Sequence, residues 1–149
     1  MPSRPTHRQG HTRATVQEFL ARTAAASPDD IAALFAHDVD WEIAGNPSVP
    51  WIRPRSTRAE VAAHFRELAE GQQPDPDATA VDVVVVEGSE AMLSGRLAGT
   101  VRATGKYFTS PFAMRLTVED GLITRYRVYE DSLAIAAACN PDGPGVPVD

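Results

Sequence analysis

Asp131 and Arg96 are the two charged residues whose surroundings in the sequence suggest chemistry. Asp131 ends a β-branched and aromatic run and shares its alternating face with Tyr129, Arg127 and Arg125. A carboxylate placed in an apolar pocket holds its proton more tightly than in water, and so becomes a general base or acid near neutral pH. An Asp-Ser pair at a strand-to-helix junction is also a good helix N-cap, and the two readings stand side by side. Arg96 lies among Met92, Leu93, Leu97 and Val101. A long cation in an apolar strand suggests a buried partner, and Asp131 is the candidate. The alternative is that Arg96 lies on the outer sheet face and pairs with Glu90 or with a second copy of the chain.

Trp41, Trp51, Phe65, Phe112 and Tyr129 are aromatics able to line a pocket for a flat or terpenoid-like ligand. Trp41 falls on the inward side of its strand, Trp51 sits between prolines where it reads as a lid, and Phe65 reads as ordinary core. His64 flanks the apolar stripe of its helix and reads as a structural histidine. There is no glycine-rich phosphate loop, no metal-ligand spacing of His, Asp and Glu, and no nucleophile elbow. No metal or cofactor is expected.

These residues need elements to position them. Residues 1–13 mix Pro, Gly, His, Arg and Thr without periodicity and predict a flexible arm holding His7 and His11, of which no ligand role is expected. Val16, Phe19, Leu20 and Thr23 have helical spacing and predict a first helix over about 14–26. Ser27-Pro28-Asp29-Asp30 starts a second, short helix with Ile31, Leu34 and Phe35 on its apolar face. Val39 to Ile43 alternates as a strand with Val39, Trp41 and Ile43 inward. Thr57 and Glu60 form a capping box for a helix whose buried stripe is Val61, Phe65 and Leu68, ending at Gly71. A polar linker, 72–77, follows. Four strands come next: Ala80–Glu87, nearly continuous in valine and read as covered on both faces, Ala91–Ala103, Tyr107–Val118 and Leu122–Asp131. Asp120-Gly121 is a two-residue hairpin signal. Ser132–Cys139 predicts a closing helix and 140–149 a flexible tail. The order is α-α-β-α-β-β-β-β, an α+β arrangement with helices on one face of a curved antiparallel sheet.

That order, with the phrases Leu34-Phe35-Ala36-His37-Asp38-Val39-Asp40-Trp41, Val49-Pro50-Trp51, and Glu119-Asp120-Gly121-Leu122-Ile123 leading to Tyr129-Glu130-Asp131, resembles the nuclear transport factor 2-like superfamily, in its SnoaL-like and ketosteroid-isomerase-like branch. The resemblance covers about residues 14–139. It implies a cone of sheet and helices around a deep apolar pocket, with the face bearing Asp131 and Tyr129 turned into that pocket, and a homodimer formed through the outer sheet face. Function does not follow from fold, which here hosts isomerases, cyclases, epoxide hydrolases and binders. The proton-abstracting aspartate of ketosteroid isomerases aligns with Ile43, which cannot accept a proton. Of the limonene-type epoxide hydrolase set, Arg96 matches the arginine and Asp131 the late aspartate, while the second aspartate aligns with Ala98 and the water-positioning asparagine with Ile43.

The length fits one domain, 14–139, and the 43% hydrophobic and 23% charged residues are ordinary globular usage. A net charge of −6 argues against nucleic acid as a partner. The polar N-terminus and the absence of a long apolar run predict a cytoplasmic chain without a membrane partner. The expectation is a cofactor-independent enzyme, a cyclase, isomerase or epoxide hydrolase, acting on a hydrophobic polyketide- or terpenoid-like molecule. Asp131 would carry the proton, Arg96 would be its electrostatic partner, Tyr129 a hydrogen-bond donor, and Trp41, Trp51, Ile43, Phe65, His64, Ala98 and Phe112 the surroundings of the ligand. The rival is a non-catalytic binder using the same pocket.

Overall fold

The computed structural model describes residues 3–142. Helix α1 spans Ser3–Ala25, α2 Pro28–Ala32, strand β1 Phe35–Ala44, helix α3 Arg58–Gly71, strand β2 Gln72–Pro74, β3 Ala80–Glu87, β4 Glu90–Val101, β5 Tyr107–Glu119, β6 Leu122–Glu130 and helix α4 Ser132–Cys139. A single 3-10 turn, Pro76–Ala78, joins β2 to β3.

The helix starts follow local chemistry. Ser27 Oγ accepts from Asp30 N at 3.2 Å, with Pro28 in the first turn where no N–H is needed. Thr57 and Glu60 close a capping box, which ties the loop before α3 to its first turn. Asp120 and Gly121 take φ of 53° and 76°, the left-handed pair that a tight hairpin between β5 and β6 requires.

The strands form one curled sheet in the order β1-β6-β5-β4-β2, with β3 beside β4. β1 pairs with β6 in parallel and every other pairing is antiparallel, so the sheet is mixed rather than wholly antiparallel. The α+β cone with its three helices in the N-terminal half is the architecture observed. The main core lies between the helices and the sheet's concave side: Val16 and Phe19 of α1, Ile31 of α2, Val61 and Phe65 of α3, Phe35, Val39 and Trp41 of β1, Leu93, Leu116 and Tyr126. A second cluster joins Val49 and Trp51 to Val101, Phe108, Ile135 and Ala138.

Four expectations change. α1 begins at Ser3, not near 14; Thr12 and Thr15 are buried on it, and Thr12 Oγ1 donates to Gly88 O at 2.8 Å. The face is completed by threonines, so apolar periodicity alone hides it. The strand β1 begins at Phe35, because α2 ends after barely a turn and Phe35 is drawn into pairing with Ile123. The segment read as a linker holds a strand, β2, paired with the far end of β4. Finally, β3 is covered on one face only: Val83 and Val85 are 51% and 57% exposed, since β3 pairs with β4 alone and no helix reaches its outer side. Residues 143–149 of the expected tail lie outside the described residues, while Asn140 caps α4 through its N–H to Ala137 O.

Candidate active site on the concave face

Cross-strand partners point to the same side of a sheet, so the pairing register decides which side chains meet. Trp41 is opposite Tyr126, Tyr126 opposite Leu116, and Leu116 opposite Ala91. All four are buried, which identifies this as the concave, helix-covered side. One step along, Ile43, Val128, Met114 and Leu93 form the next concave row. Phe112 and Glu130 form the one after. The intervening rows are convex: Glu42, Arg127, Arg115 and Met92, then Ala44, Tyr129, Ala113 and Ser94.

Along the concave side of β5, Phe108, Ser110 and Leu116 are essentially inaccessible, whereas Phe112 and Met114 between them are only half-buried. Ile43 and Glu130, in the same two rows, are also half-buried. Apolar side chains that stay partly accessible between fully buried neighbours leave this part of the concave face open, with Trp41 and Tyr126 packed beside α3 next to it, and we read the opening as a cleft.

Glu130 is the acid of this cleft. Its carboxylate makes no hydrogen bond or ion pair among the described residues, and burial pushes its carboxyl up to about 7. Tyr126, stacked on Trp41 with ring centroids 4.3 Å apart, is fully buried, and burial together with the charge of Glu130 holds its phenol in the protonated form.

His64 of α3 is 2% exposed, and its ring lies 4.8 Å from that of Trp41. Its Nδ1 is 3.1 Å from Trp51 O, a carbonyl that only accepts, so Nδ1 carries the proton and Nε2 the lone pair. Burial, helped by the Arg55 charge, pulls the imidazole down to about 4 against the pull of the Trp51 carbonyl and Glu67, so His64 is neutral at physiological pH. Arg55, itself buried, donates to both carboxylate oxygens of Glu67 at 3.0 and 3.3 Å and to Trp51 O at 3.4 Å. The arginine holds the Glu67 carboxyl below the usual carboxylate range. Two side chains thus fasten the loop before α3 onto that helix through one carbonyl.

The expected site residues divide accordingly. Trp41, Ile43, Phe112 and His64 lie at the cleft or in the aromatic cluster beside it, and Phe65 packs behind them in the core. Trp51 is no lid: it is buried in the second cluster, its ring against Gly71, where a Cβ would come within 2.7 Å of it. Ala98 is buried away from the cleft, on the convex parity opposite Thr109 and beneath Thr79. Tyr129 is 47% exposed on the convex face, with Arg127 and Arg125 bound to Asp40 at 2.8 and 3.2 Å. Arg96 is exposed between Ala80 and Pro111, and makes no bond among the described residues. Asp131 is exposed, and its Oδ1 accepts from Ala134 N at 3.1 Å as the N-cap of α4. The pocket-facing assignment of Asp131 and Tyr129 is therefore corrected by one residue of strand parity, and Arg96 leaves the site with them. Glu130 was missed. The signal for it was the alternation Tyr126, Val128, Glu130, in phase with Trp41 and Ile43.

A separate groove of about 390 Å³ lies along α4, lined by Ser48, Leu133, Ala136, Ala137, Cys139 and Asn140. Its single titratable group is the Cys139 thiol, which burial pushes up and so makes a poorer nucleophile. Among the described residues no three His, Cys, Asp or Glu side chains gather as a metal-binding group, and no helix is long and apolar enough to cross a membrane.

Comparison with known proteins agrees with this architecture. Several solved structures share the fold. An NTF2-like protein from Burkholderia xenovorans LB400 superposes with a TM-score of 0.77 at 25% identity, over 89% of this chain and 98% of that one. An NTF2-like protein from Burkholderia thailandensis E264 gives 0.75 at 24%, over 87% and 98%. An LEH-like epoxide hydrolase from M. tuberculosis gives 0.67 at 16%, over 84% and 86%. No curated protein matches the chain in sequence. The family model for the SnoaL-like domain matches residues 16–126, which is most of the folded part, and the chain belongs to that family.

Proposed function

We propose that the chain is a cofactor-independent enzyme that moves a proton on a hydrophobic, polyketide- or terpenoid-like molecule held in the concave cleft, with Glu130 as the proton carrier. The observation that carries this reading is the Glu130 carboxylate itself, on the concave side opposite Phe112 and without a partner among the described residues. A carboxyl poised near 7 is populated in both forms at neutral pH, the condition under which general acid–base catalysis is most efficient. The apolar rows around it, Ile43, Val128, Met114 and Phe112, suit a substrate with little polar surface. Cyclisation, isomerisation and epoxide opening all fit one proton carrier in such a wall. The epoxide hydrolase of M. tuberculosis shares the fold alone, and its activity is one member of this set. A homodimer through the convex face is part of the proposal, since Val83, Val85, Met92 and Tyr129 leave that face with exposed apolar surface.

The test is turnover of a panel of cyclic unsaturated ketones, terpenoid epoxides and polyketide mimics by the wild type and by Glu130→Gln. The reading expects at least one to be converted, and the variant to lose about 10²–10⁴ in kcat with substrate binding retained. Ligands that bind the wild type tightly without conversion at any pH would give the chain to the non-catalytic binder instead.

A further inference from the structure

One buried donor in the cleft region has nothing to bond. Trp41 is 9% exposed, and its indole Nε1 is sealed from solvent with no hydrogen-bond partner among the described residues. A buried tryptophan N–H ordinarily finds an acceptor, and leaving one unpaired costs about 1–3 kcal/mol. Phenylalanine at the same position would keep the packing on Tyr126, His64, Phe65 and Phe35 without that cost. The neighbouring imidazole cannot be the missing partner as it stands, since no bond joins the two rings at their 4.8 Å separation. It does set the chemistry beside the indole. With His64 Nδ1 committed to Trp51 O, the ring has one group left, the Nε2 lone pair. The aromatic cluster beside the cleft thus holds an unpaired donor on one ring and an acceptor on its neighbour, and neither carries charge.

We propose that Trp41 Nε1 anchors a hydroxyl oxygen of the ligand, with His64 as the neighbouring acceptor, so that the cleft takes an otherwise apolar ring compound bearing an alcohol or phenol at its buried end. A hydroxyl accepts from the indole and donates to the imidazole, using both groups with one oxygen. This rests on the reading of the concave cleft as the ligand site. It also gives the ligand a length. Tyr126, the cross-strand partner of Trp41, lies four residues before Glu130 on β6. At ~3.3 Å per residue that is about 13 Å, which the two side chains shorten to roughly the span of two or three fused rings. The hydroxyl sits at one end and the atom that exchanges a proton with Glu130 at the other.

The experiment uses β-naphthol, β-naphthyl methyl ether and naphthalene as probes of the full chain by NMR. The chain has two tryptophans, hence two indole N–H resonances, and Trp41→Phe assigns one of them. The expected result is that β-naphthol shifts the Trp41 indole resonance downfield and binds about tenfold tighter than naphthalene, as one hydrogen bond to a buried group allows, with the ether between them. In Trp41→Phe the preference for naphthol over naphthalene should collapse to within about twofold. The proposal is overturned if the Trp41 resonance stays in place while naphthol binds, if naphthol and naphthalene bind alike, or if none of the probes binds. The resonance shift is read in the wild type, so it stands even if the variant folds poorly. A naphthol preference that survives alongside unimpaired turnover in Glu130→Gln would keep the anchor and sink the catalytic reading; the reverse pattern would do the opposite.

Discussion

Glu130 and Asp131 are consecutive in sequence and do opposite things. Glu130 pairs with Phe112 and turns to the concave side of the sheet, where burial raises its carboxyl to about 7. Asp131 follows the last residue of β6, is exposed, and spends its carboxylate on the N-terminus of α4. Strand alternation separates a buried carboxyl from a structural cap by one residue.

The buried carboxyl leaves a signature in stability. The folded chain holds the Glu130 proton more tightly than the unfolded chain, whose carboxyl titrates near 4.5. The stability it contributes is therefore full below pH 4.5 and is lost as pH rises to about 7, by up to ~3 kcal/mol. His64 has the opposite sign: its folded value near 4 lies below the unfolded 6.5, so its contribution is full above pH 6.5 and is lost as pH falls toward 4. Between pH 4.5 and 6.5 the two slopes oppose each other. Denaturant melts of the wild type should be flat across that window, while Glu130→Gln, left with His64 alone, should gain stability with pH and exceed the wild type at pH 8. A Glu130→Gln curve parallel to the wild type at every pH would show that Glu130 is solvated.

Asp131 should behave as a cap. Asp131→Asn keeps an oxygen for Ala134 N and should be nearly neutral, whereas Asp131→Ala should cost about 0.5–2 kcal/mol. Neither should change the rate on any substrate found to be converted. A loss of rate in Asp131→Asn with an unchanged melting curve would return the catalytic role to this residue.

Light scattering at micromolar concentration should give twice the 16.0 kDa of one chain. Met92→Glu, which puts a charge among the exposed apolar residues of the convex face, should shift the mass to that of the single chain without changing the far-UV circular dichroism. A wild type that already runs as a single chain contradicts the dimer.

Much of the frame is legible in the residues because it depends on short-range chemistry. Ser27-Pro28, the Thr57/Glu60 box and Asp120-Gly121 each satisfy their own backbone groups within a few residues, and each marks an element end where the structure has one. What escapes is set at long range. The parallel pairing of β1 with β6 joins residues such as Trp41 and Tyr126, far apart in the chain, and nothing local announces it. The β6 register was ambiguous because both faces of Arg125 to Asp131 carry a tyrosine and a carboxylate, and only the core partner of each tells them apart. Tyr126 is buried against Trp41 and Phe35, while Tyr129 is exposed on the convex side. Trp51 between prolines looked free to move; its burial depends on Gly71, twenty residues on, having no side chain. The early start of α1 escaped because Thr12 and Thr15, rather than aliphatic residues, are the buried side chains ahead of Val16.

The central claim is that Glu130 is a desolvated acid facing the cleft, and a carboxyl-carbon NMR titration of the wild type reads it directly. Glu130→Gln identifies the resonance. The account predicts a midpoint near 7 for Glu130, displaced when a ring compound occupies the cleft. A midpoint in the ordinary glutamate range around 4.5, indifferent to such a ligand, would contradict it.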